Sequence, residues 1–126
     1  MSLDRLDRTI LEELVDLDPV EGLALVRDLV GIFFTEAPGR LDRIRCGLAD
    51  GDADAVMRAA HAMRGAASQL GAVGLADACA RMERQARTCV LTGLAAELDA
   101  IELDLPSLGQ RLEDHIAELA RQVAEA

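Results

Sequence analysis

The residues best suited to chemistry in this chain stand together in Ala60-His61-Ala62-Met63-Arg64-Gly65-Ala66-Ala67-Ser68-Gln69-Leu70-Gly71-Ala72. On a helix, Arg64, Gly65 and Ser68 follow His61 by three, four and seven positions and share its face. Histidine is a nucleophile and proton carrier near neutral pH. Arginine offers charge-assisted, bidentate hydrogen bonds to phosphate and carboxylate oxygens. The apolar stripe of this segment passes through Ala60 and Met63, which leaves His61 at its margin and pointing to solvent. Gly65 is the odd member, because a glycine inside a helix costs about 1 kcal/mol relative to alanine. Two explanations compete for it: another molecular surface must come close to His61, or two helices of this chain pack through the gap. Residue types and spacing alone leave the reading of an ordinary exposed histidine open.

The elements that must position this group are helical. Leu3, Leu6, Ile10 and Leu14 form one stripe of a short amphipathic helix over about residues 2–17. Asp18-Pro19 ends it, since proline disfavours a helical predecessor and suits a helix start. A longer helix follows from about Glu21 to Ala49, with Val26, Val30, Phe33, Ala37, Leu41, Ile44 and Leu48 on a three-four seam. Pro38-Gly39 falls within that seam and predicts a kink, with the pattern continuing beyond it. Asp50-Gly51-Asp52 supplies the next break and a cap. The third helix spans about Ala53 to Leu70, Gly71 and Gly74 bracket a turn, and a fourth helix carries Leu75, Ala78, Cys79, Met82 and Ala86. Leu94, Leu98, Ile101, Leu105, Leu108, Leu112 and Leu119 stay in phase across Pro106, which predicts one kinked helix. Short links between long helices imply antiparallel neighbours. The expected fold is all-α: an antiparallel up-down four-helix bundle over about residues 21–124, with an additional short N-terminal helix, in a single domain 1–126.

Composition agrees. One hundred and twenty-six residues suffice for one hydrophobic core, and 51% are apolar against 29% charged. Phe33 and Phe34 are the only aromatics, so aliphatic side chains must fill the core, and the stacking platforms of single-strand nucleic-acid binders are missing. A net charge of -10 opposes binding to phosphate backbones and anionic lipid. Neither nucleic acid nor membrane is an expected partner, and no segment reaches the ~18 apolar residues of a membrane span. The N-terminus lacks a signal-peptide layout. Cys46, Cys79 and Cys89 form no CxxC pair and have no histidine at ligand spacing, so they are read as reduced core cysteines, and no metal site is expected.

The word AHAMRGAASQLGA resembles the signature of histidine-containing phosphotransfer (HPt) domains of bacterial and eukaryotic phosphorelays. That signature runs His, any residue, a large apolar residue, Lys or Arg, Gly, then small residues leading to Leu-Gly. Met63 and Arg64 take the apolar and basic places. The resemblance covers about residues 20–115, including Glu36-Ala37-Pro38 after the phenylalanines, the Gly51-Asp52 turn and Met82-Glu83. It implies that His61 accepts a phosphoryl group and passes it to an aspartate of a response-regulator receiver domain. Arg64 would then engage phosphoryl oxygens or the acidic receiver pocket. If the third and fourth helices are antiparallel about Ala72, residue 83 lies opposite residue 61, and the family often carries Glu or Gln there to orient the histidine. Glu83 is therefore the expected orienting partner; a surface ion pair with Arg87 is its competing role.

Gly65 and Ser68, with Phe34, Pro38 and Leu41 from the second helix, are the candidate docking surface, although the last three could equally be core. His115, among Glu113, Asp114 and Glu118, reads as a surface residue. The resemblance implies a cytoplasmic, monomeric phosphocarrier with no cofactor of its own, magnesium being expected on the partner receiver only. Its partners would be a histidine kinase or hybrid-kinase receiver and a response-regulator receiver. No Gly-rich nucleotide loop is present. The rival readings are a non-phosphorylated helical adaptor or inhibitor that binds a kinase or receiver, and a kinase-type dimerisation bundle.

Overall fold

The computed structural model describes residues 3–125, and these contain five helices: α1 (Thr9–Leu17), α2 (Pro19–Ala49), α3 (Ala53–Gln69), α4 (Val73–Arg87) and α5 (Leu94–Glu125). Helices α2 to α5 pack cyclically, α2 on α3, α3 on α4, and α5 against both α4 and α2, while α1 lies across α2. The four-helix bundle with its extra N-terminal helix is thus present. Both internal prolines, Pro38 and Pro106, lie inside continuous helices.

Local sequence explains the boundaries. The Asp18 carboxylate accepts from the Glu21 amide at 3.1 Å, with Pro19 at the first position of α2. Gly51, at φ +64, reverses the chain after α2, and Asp52 caps α3 by accepting from the Ala55 amide at 3.0 Å. After α3, Gly71 turns the chain at φ +73. Helix α4 then starts at Val73, so Gly74 belongs to its first turn and does not flank the loop.

The core runs through Val26, Ile44, Val56, Met63, Leu75, Met82, Leu98, Ile101 and Leu112, all buried. Helix α3 contributes Ala59, Ala60 and Ala67 to it. Small residues let its neighbours approach closely, while His61, one position beyond Ala60, stays outside.

The N-terminal segment departs from expectation. Helix α1 starts at Thr9, because the Asp7 carboxylate accepts from both the Thr9 amide and its hydroxyl, at 3.0 and 2.7 Å. These bonds also hold the Asp7 carboxyl below the usual carboxylate range. Leu11 and Val15 are the residues α1 buries, and Ile10 is exposed. Residues 3–8 instead strap the α3–α4 turn: the Asp7 amide donates to the Gly71 carbonyl at 2.7 Å, and the Gly74 amide to the Arg5 carbonyl at 3.3 Å. A side chain at position 71 would collide with the Asp7 carbonyl.

Three further assignments change. His115 is not a surface residue: it is 2% exposed, and its Nε2 lies 3.3 Å from the Arg8 carbonyl. The α5 face that buries Leu108, Leu112 and Leu119 carries it inward. Of the cysteines only Cys79 is in the core; Cys46 lies on an exposed flank of α2, and Cys89 occupies the α4–α5 link with φ 60. Burial raises the Cys79 thiol to about 12. Leu41 is 4% exposed and belongs to the core, as its place on the α2 seam requires.

Candidate functional site

Helix α3 presents His61 on its outer face, with 65% of the side chain exposed. Helix α4 brings Glu83 alongside, and its carboxylate is only 7% exposed. Antiparallel descent from the turn at Gly71-Ala72 places them level, and His61 Nδ1 lies 2.8 Å from Glu83 Oε1. One terminal nitrogen of Arg64 sits 3.0 Å from the same Nδ1 and 3.3 Å from Glu83 Oε1. Arg87, one turn beyond Glu83 on α4, reaches its other oxygen, Oε2, at 3.3 Å. Both roles considered for Glu83 therefore coexist, one on each oxygen.

Two contacts meet at Nδ1: the shorter one, to Glu83, suits a protonated Nδ1, and the Arg64 contact suits a lone pair there. A guanidinium can only donate, and a carboxylate can only accept. If Nδ1 carried its lone pair, it would face an anionic oxygen at 2.8 Å without a proton between them. With the proton on Nδ1, it donates to Glu83, and the Arg64 hydrogen is directed to the same carboxylate. In that state the lone pair is on Nε2 of a side chain that is 65% exposed. A buried carboxylate without partners would be costly to hold charged, and here three cationic or donor side chains surround it.

Gly65 is exposed, and a Cβ built on it would meet nothing within 4 Å. This excludes helix packing as its purpose. The open step lies four residues from His61, on the same face. Ser68 donates its hydroxyl to the Arg64 carbonyl at 2.9 Å, so that hydroxyl is engaged within the helix.

Of the α2 candidates, Phe34 faces α5 and Leu41 the core. Phe34 makes an edge-to-face contact with Phe33, their centroids 5.0 Å apart. It lines an α2–α5 groove with Val30, Leu105, Pro106 and Gly109. Pro38 is exposed on α2, and Leu41 is core. The network residue without an assigned part in the sequence-based site was Arg87. Its spacing of four from Glu83 was the available signal.

Among the described residues no group of three His, Cys, Asp or Glu side chains could hold a metal ion. No described helix is long and apolar enough to cross a membrane.

The Hpt domain model matches residues 28–122. The chain belongs to the Hpt domain family. Its fold is similar to the crystal structure of histidine-containing phosphotransfer protein B (HptB) from Pseudomonas aeruginosa PAO1. The two share 27% identity at a TM-score of 0.60, over 95% of this chain and 91% of that one. No curated protein matches the chain. As an Hpt domain it serves histidine phosphotransfer in two-component phosphorelays, and the adaptor reading is not favoured.

Proposed function

We propose that His61 is the phosphoacceptor and that its Nε2 is the reacting atom. The 2.8 Å Nδ1–Glu83 contact supports this, because a proton on Nδ1 would donate to Glu83 and leave the lone pair on Nε2. In the forward step that lone pair attacks the phosphorus of an aspartyl phosphate on a receiver. The N–P bond forms as the P–O bond to the aspartate breaks, and the aspartate leaves as carboxylate. The ring, substituted on Nε2 and protonated on Nδ1, then carries positive charge beside the Glu83 carboxylate. Delivery to the next receiver reverses these bonds.

Arg64 contributes by moving. Its contact with a proton-bearing Nδ1 is poor and it shares the His61 face of α3, so it swings to the phosphoryl oxygens or the acidic receiver pocket. Gly65 is the step that lets the receiver's active site reach Nε2, and the exposed residue Ser68 extends that footing. We place the carrier, as a monomer in the cytoplasm, between a histidine kinase or hybrid-kinase receiver and a response-regulator receiver. The receiver supplies aspartate and magnesium.

The test is transfer from a phosphorylated receiver to wild type and to His61→Gln. The expected result is acid-labile, base-stable label on wild type only, with equal melting temperatures, because an exposed side chain leaves no cavity. Label that persists on the variant refutes the assignment.

A further inference from the structure

The two oxygens of Glu83 are held from different directions. Oε1 receives His61 and Arg64; Oε2 has Arg87 as its single partner among the described residues. Arg87 is 64% exposed, and an exposed i,i+4 pair on one helix ordinarily contributes little. This one differs because its acid is buried and touches the reacting histidine.

We infer that Arg87 is a positioning residue for phosphotransfer: it anchors Glu83 Oε2 so that Oε1 stays on His61 Nδ1, and it remains as counter-ion when Arg64 leaves. The inference rests on His61 being the phosphoacceptor. Without Arg87, Oε2 would be an unpaired, buried anionic oxygen. The nearest remaining cation is Arg64, whose planar fork prefers to grip both oxygens of a carboxylate. That grip would rotate Oε1 away from Nδ1, release the tautomer and tie Arg64 to Glu83. Arg87 prevents it by occupying the second oxygen. Once Arg64 turns to the phosphoryl group, Glu83 still faces a guanidinium, and the departure of Arg64 does not strand a buried charge. Arg64 and Arg87 are thus not interchangeable, one being mobile and the other standing.

The test compares wild type, Arg87→Gln, Arg87→Lys and Glu83→Ala by side-chain nitrogen NMR of His61, at a pH where free imidazoles are neutral, and by transfer rate from a phosphorylated receiver. Wild type should show Nδ1 protonated and Nε2 unprotonated. Arg87→Gln should approach the averaged tautomers of Glu83→Ala and transfer about tenfold more slowly, at the lower end of what losing an orienting partner costs. Arg87→Lys keeps the cation and should restore both readouts. An Arg87→Gln protein with the wild-type tautomer and rate overturns the inference, as does Arg87→Lys behaving like Arg87→Gln. A wild type that takes up no label on His61 defeats the phosphoacceptor assignment itself, which separates the two failures.

Discussion

Replacing Gly65 by glutamine should improve the fold and harm the function. The position lies well inside α3 (Ala53–Gln69), where glutamine is about 0.6–1 kcal/mol better than glycine through helix propensity and reduced unfolded-state entropy. No neighbour stands within 4 Å of its Cβ, so no overpacking term offsets that gain. For a chain of this length the expected rise in melting temperature is about 2–4 °C. The same side chain stands one turn from His61 and fills the open step toward Nε2. Transfer to and from a receiver should fall by more than about a hundredfold, since positioning supplies most of the catalysis in phosphoryl transfer. Phosphorylation by a small donor that needs no docking surface should fall far less. Thermal melts and paired assays with receiver and small-molecule phosphodonors read all three quantities. A lower melting temperature, or unchanged transfer to the receiver, would refute the docking role of Gly65.

Three further outcomes follow from which side chains are buried. In the native protein Cys46 and Cys89 should react with a thiol reagent at neutral pH while Cys79, buried and with its thiol raised to about 12, reacts only on unfolding. Because the unfolded thiol ionises near 9, stability contributed by the neutral Cys79 should be intact below that pH and decline as pH rises toward 12, and a pH series of urea melts on wild type and Cys79→Ala checks this. His115→Ala should cost about 2–4 kcal/mol of unfolding free energy, because it empties a buried site, yet retain phosphoacceptance. Intact folding with lost acceptance would move the reacting site to α5.

Much of this arrangement was legible because it depends on local rules. Asp18-Pro19, Asp50-Gly51-Asp52 and Gly71 bound helices by caps and left-handed turns that short-range chemistry dictates. The opposition of residues 61 and 83 follows from counting along two antiparallel helices from one turn. What escaped depends on choices that only packing makes. The first seventeen residues offer two apolar stripes; the structure buries Leu11 and Val15 in α1 and spends Leu3 and Leu6 on the preceding strap, partly buried. The acidic sequence neighbours of His115 suggest a surface place, yet its spacing of three from Leu112 and four from Leu119 puts it on the buried stripe. Phe34 and Leu41 lie on a helix that has two buried faces, one toward α3 and one toward α5. Periodicity does not say which face a rim residue joins.

In the proposed transfer, one nitrogen of one side chain carries the phosphoryl group. The most direct measurement is phosphorus–nitrogen correlated NMR on the phosphorylated, nitrogen-labelled protein, with the residue assigned by fragmentation mass spectrometry. The expected result is a single phosphoramidate on Nε2 of His61, with Nδ1 still bearing its proton beside Glu83. Phosphate on Nδ1 of His61, on His115 or on a carboxylate would contradict it.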